Sequence, residues 1–90
     1  MNTDRRKAIN AIITTLDKVA GFGDTISAIS TLKDEEQEYY DNMPESLQSG
    51  ERGTDAEEVV SNLQEAEDKL QEVEDALNEV LDFLRSAAGN

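Results

Sequence analysis

The chain has no cysteine, no histidine and no tryptophan, and only one proline in 90 residues. Without cysteine there is neither a disulfide framework nor a thiolate metal site. Without histidine the commonest general base, the commonest transition-metal ligand and the side chain that titrates near neutrality are all missing. No apolar run approaches the ~20 residues of a membrane span, and the polar stretch from Met1 to Lys7 leads into no signal-peptide core. A soluble, cytoplasmic protein is expected. With 37% hydrophobic residues and a regular apolar pattern, the chain is expected to fold as one small helical domain over residues 1–90.

Basic residues are also scarce, eight against 21 acidic, for a net charge of −13. The deficit is uneven. Residues 1–33 balance at +2 and residues 34–90 at −15. Direct binding to nucleic acid or to an anionic membrane is not expected, because long-range repulsion opposes the encounter; a partner with a basic surface is attracted.

What the sequence does have is a spacing. Ala56, Leu63, Leu70, Leu77 and Leu84 recur every seven residues, and Val59, Ala66, Val73, Val80 and Ala87 stand at the matching second seam position. Ten apolar seam positions predict one long helix packed along its length against other helices. Its start reads as Gly53 ending a loop, Thr54 as N-cap and Glu57 closing a capping box, with Gly89 as the C-terminal stop. This second arm spans about 54–88.

The first arm, about 4–42, repeats apolar residues at Ile9, Ile12, Ile13, Leu16, Val19 and Ala20, then at Phe22, Ile26, Ile29 and Leu32, and then at Tyr39 or Tyr40 and Met43. Two readings compete at Gly21-Phe22-Gly23: one long arm kinked at the glycines, or two helices, the second capped by Asp24 or Thr25. Length favours the first, since the two arms then match at ~50 Å. Pro44 pushes Met43 out of the helical region and ends the arm, leaving a polar loop at 43–53. The expected fold is all-α, a long antiparallel helical hairpin with coiled-coil-like packing. Two long helices bury little, and Val19 to Leu32 carries one charge, Asp24, so a homo-oligomeric bundle, a dimer or larger, is expected. Ile9, Ile12, Leu16, Val19 and Ile26, with the leucine seam, would form it.

Three groups of residues could carry function. Glu65, Asp68, Glu72, Asp75, Glu79 and Asp82 alternate steps of three and four, forming an acidic ridge away from the seam. Such a row either keeps the surface wet or imitates a phosphate backbone. Arg5, Arg6 and Lys7 form a basic cluster that either pairs with acids such as Asp82 near the end of the last helix or, multiplied by oligomerisation, holds a phosphate-bearing ligand. Tyr39, Tyr40, Met43 and Leu47 read as a cluster sealing the hairpin end, with Arg52 reaching back to Glu38 or Asp41, or else as a recognition loop in which tyrosine and arginine are anchors.

Enzyme motifs are missing. No nucleophile and base can be paired without histidine or cysteine, and Gly21-x-Gly23 lacks the strand and the third glycine of a dinucleotide fingerprint. Placing Gly50 at the sixth position of a calcium loop puts Leu47 at the third and Ala56 at the twelfth, where ligands are required. No catalytic residue, metal ligand or cofactor is expected.

The segment Asp34-Glu35-Glu36-Gln37-Glu38-Tyr39-Tyr40-Asp41-Asn42-Met43-Pro44-Glu45-Ser46-Leu47-Gln48-Ser49-Gly50-Glu51-Arg52-Gly53 resembles one that recurs in small acidic helical proteins of phages and prophages. The likeness is close over these 20 residues and a matter of pattern in the flanking helices. Arms in that group generally lack the Gly21-Phe22-Gly23 break. The resemblance implies an accessory role in a host cell's cytoplasm, such as inhibiting or sequestering a host enzyme or defence factor. Two alternatives are an oligomeric sponge for a nucleotide-like signal at basic subunit-interface pockets and a structural scaffold or assembly protein.

Overall fold

The computed structural model describes residues 2–89 as four helices: α1 (Thr3–Val19), α2 (Gly23–Asp41), α3 (Glu45–Gln48) and α4 (Glu51–Ala87). No strand occurs among the described residues. The chain is an all-α helical hairpin whose long return helix is α4. It divides into two compact units, residues 1–22 with 71–90, and residues 23–70. In the first, α1 packs along the C-terminal half of α4; in the second, α2 packs along the N-terminal half.

The first arm is broken rather than kinked, contrary to the length argument. Helix α1 is capped by Asn2, whose side chain accepts from the Arg5 amide at 2.8 Å, and it stops at Val19. Residues 20–22 are not helical, and the Phe22 amide turns back onto the Ala20 carbonyl at 3.0 Å. Helix α2 begins at Gly23 itself, ahead of the expected Asp24 or Thr25 caps. Neither Gly21 nor Gly23 has a positive φ, and a Cβ at either would meet nothing within 4 Å. The cause lies in seam phase. Ile9, Ile13, Leu16 and Ala20 line the covered side of α1 in steps of four and three, and Ile26, Ile29, Lys33, Glu36 and Tyr40 do so on α2. From Ala20 to Ile26 is six residues, one short of the heptad that an uninterrupted seam needs. Glycine, the poorest helix former after proline, stands where that phase is reset.

The connection between arms is shorter than the expected 43–53 loop. Helix α2 ends at Asp41, as Pro44 dictates, and Pro44 then starts α3 by accepting from the Leu47 and Gln48 amides at 2.8 and 3.1 Å. The Gln48 side chain donates to the Tyr40 carbonyl at 3.0 Å, satisfying an end group of α2. Helix α4 begins at Glu51, so Thr54 is inside its first turns and is no N-cap: both its amide and its hydroxyl donate to the Gly50 carbonyl, at 3.1 and 3.2 Å. The expected capping box with Glu57 is therefore absent. Gly53 does not end a loop either. It is buried within α4, where a Cβ would land on the Gln48 carbonyl, so glycine is there because backbone meets backbone. At the far end Gly89 takes φ +87°, the left-handed stop its position suggests.

The seam of α4 corrects half of the sequence reading. The leucine row is as expected, Ala56 buried and Leu63, Leu70, Leu77 and Leu84 half-buried. Its companion row is Gly53, Val60, Glu67, Glu74, Leu81 and Ala88, with Gly53, Leu81 and Ala88 buried. The expected companions Val59, Ala66, Val73, Val80 and Ala87 all lie exposed, one residue away on the flank. Leu81 is 2% exposed and its neighbour Val80 45%. Polar matching explains the choice. Lys33 projects from α2 to donate to Gln64 at 2.7 Å and to Glu67 at 3.0 Å, while Gly53 fixes the side of α4 that meets α3.

Candidate functional site

The acidic ridge forms as spaced. Glu65, Asp68, Glu72, Asp75, Glu79 and Asp82 are all exposed along the outer side of α4. Two of them are oriented by uncharged donors: the Gln64 amide reaches Asp68 at 2.9 Å and the Gln71 amide reaches Asp75 at 3.2 Å. These contacts hold the carboxylates without cancelling their charge. Asp82 lies 3.9 Å from Arg85 one turn on, and Arg85 also bonds Asp17 of α1 at 3.1 Å. Because an α-helix rises 1.5 Å per residue, the ridge carries about one charge per 5 Å of axis.

Among the described residues, the basic cluster makes no ion pair with the ridge. Arg5, Arg6 and Lys7 are exposed in the first turns of α1, and Asp82, their expected partner, is taken by Arg85 of its own helix. Arg6 instead lies by the last turn of α4, its guanidinium 3.3 Å from where a Cβ on Gly89 would stand. A cation there suits the negative end of the helix dipole.

The expected hairpin-end cluster forms only in part. Met43 is buried and Tyr40 half-buried, whereas Tyr39 (51%) and Leu47 (40%) are exposed. Arg52 is exposed and, among the described residues, makes no ion pair with Glu38 or Asp41. Tyr40 looks toward α4: a hydrogen bond to the Glu57 carboxylate, then desolvation and the charges of Glu57 and Asp41, push its phenol above the ordinary 10.0. The two tyrosines therefore part ways, one tied into the second unit and one presented to solvent.

The polar contacts between helices show which flank of α4 each arm occupies. Glu57, Gln64 and Arg85 follow the leucine row by one residue, and they are the groups that reach Tyr40, Lys33 and Asp17. That flank is polar and engaged. The opposite flank is the apolar one. Sequence reasoning missed this division because it assigned the apolar row to the seam; the signal was Lys33, a cation among apolar neighbours whose partner had to be an acid inside α4's covered side.

Among the described residues there is no enclosed cavity, no group of three or more side chains able to hold a metal, and no helix long and apolar enough to cross a membrane. No family model, curated protein or solved structure matches this chain.

Proposed function

We propose that this chain is a non-catalytic accessory protein of the phage type that occupies a host factor by presenting the acidic side of α4 to a basic surface. The observation that supports it best is the geometry of the ridge, six exposed carboxylates at a constant helical interval, two of them steadied by neutral amides. A spacing of about 5 Å per charge is of the order of the 3.4 Å per phosphate along one DNA strand. A surface built to receive a phosphate backbone can accept such a row. Like charges one turn apart cost roughly 0.2–0.5 kcal/mol per pair, so the ridge is held against its own repulsion. The resemblance of residues 34–53 to phage and prophage proteins points to a host cell as the setting.

The test is retention from a host lysate on the immobilised protein, followed by competition. The expected partner is released by moderate salt and displaced by excess duplex DNA, because both occupy one basic surface. Retention that survives high salt and excess duplex would overturn the proposal. So would thermal stabilisation by free nucleotides that is lost on changing Arg5, Arg6 and Lys7, which would identify a sponge for a small anionic ligand instead.

A further inference from the structure

The apolar flank left open by the seam has its own consequence. On α4 it is the row from Val59 to Ala87 that precedes each companion-row residue by one position. The arms repeat this: Ile12 and Val19 precede Ile13 and Ala20, and Leu32 and Tyr39 precede Lys33 and Tyr40. In an antiparallel pair the two helices are related by a local two-fold axis, so equivalent rows fall on the same side. Asp17 and Arg85, each one residue after a seam position and bonded to each other, mark the other side. Each unit therefore has one polar groove and one apolar groove. In the first, Ile12 and Val19 share the apolar side with Val73 and Val80; in the second, Leu32 and Tyr39 share it with Val59. All of these are between 42% and 54% exposed. The next row outward on α4 is Asn62, Lys69, Ala76 and Phe83, with Phe83 75% exposed. Neither row carries an acid between residues 59 and 87, although α4 holds twelve.

We infer that a second copy of this chain covers the apolar groove. The chain exposes 6381 Å². A folded monomer of 9.9 kDa exposes about 5200 Å², which leaves an excess of roughly 1200 Å². A stable dimer removes about 800 Å² from each partner, so the excess is of the size that one such interface takes up. The core is small as well. The buried apolar residues among those described are Ile13, Met43, Ala56, Leu81 and Ala88, two of them alanine. A shortage of burial that belongs to the fold itself is met by a partner present whenever the chain is made, and that partner is its own copy. Two chains of −13 each repel one another, and the two α4 rows of this face carry no acid between residues 59 and 87. A two-fold interface of matching apolar rows is self-complementary, which closes the assembly. The inference stands independently of what the acidic ridge binds.

Sedimentation velocity across micromolar concentrations, with thermal unfolding at each, tests it. The expected particle has twice the 9.9 kDa chain mass, and its melting midpoint rises with concentration. Val73→Glu with Val80→Glu should weaken association at least tenfold, and the milder Val73→Ser with Val80→Ser should do so with helicity retained. Gln71→Lys with Asn78→Lys, on the polar flank, should leave the dimer intact. A folded 9.9 kDa particle at every concentration overturns the inference. A dimer indifferent to both valine pairs, or one broken by the polar-flank pair, overturns it equally.

Discussion

Gly53 and Gly21 are the same residue type under opposite constraints. At Gly53 an added Cβ meets the backbone of Gln48, which cannot swing aside, so Gly53→Ala should cost about 1–3 kcal/mol or more in chemical denaturation. At Gly21 nothing lies within 4 Å and φ is not positive, so Gly21→Ala should be neutral or stabilising by about 0.4–1 kcal/mol through the unfolded chain. Equal losses at the two positions would contradict the close approach of α3 to α4. Tyr40 supplies a pH dependence. Its phenol is raised in the folded state by the Glu57 hydrogen bond first, then by desolvation and the nearby acids. The unfolded chain then binds fewer protons than the folded one at alkaline pH. The contribution to stability is complete below the ordinary 10.0 and is lost as pH rises through the raised folded value. Tyrosinate absorbance should show ionisation of Tyr40 moving to lower pH in Glu57→Gln and vanishing in Tyr40→Phe.

At the scale of elements, the proline stop, the leucine row and the Gly89 terminus were legible because each depends on local chemistry. The helix count was not, since the first arm breaks at residues 20–22 and α3 occupies part of the expected loop, and two further features were not. An S/T-x-x-E pattern after glycine reads as a capping box and puts the start of α4 at Thr54; in the structure Gly53 serves a contact with α3 that no local pattern reveals. Counting apolar residues favours Val59, Ala66, Val73, Val80 and Ala87 as the companion row. The actual row accepts Glu67 and Glu74, and a polar contact across the seam fixes register in a way that hydrophobicity cannot. Lys33 and Glu67, with side chains 20% and 21% exposed, are that contact. Lys33→Ala should destabilise by about 1–3 kcal/mol by leaving Glu67 without its cation. Lys33→Leu combined with Glu67→Leu should recover or exceed the original stability while loosening register, read as broadened amide resonances across α2 and α4. If the single change has no effect, the pair does not set the seam.

For the whole molecule, the division of α4's surface is the organising fact: leucines and their companions inward, polar residues toward the arms on one flank, valines open on the other, and acids outward. The candidate site was more legible than the seam, since the ridge needs only helical spacing, whereas the expected pairings of Arg52 with Glu38 or Asp41 and of the basic cluster with Asp82 required side chains of different helices to meet, and among the described residues they form no ion pair. The most direct measurement is a paired one on Glu72→Gln, Asp75→Asn and Glu79→Gln combined, comparing its unfolding free energy and its retention of the host partner with those of the unmodified chain. Relieving like-charge neighbours should raise stability by several tenths of a kcal/mol per pair. A ridge kept for recognition predicts that partner retention is abolished in this more stable variant. Full retention by it would contradict the account and leave the carboxylates as a solvated surface.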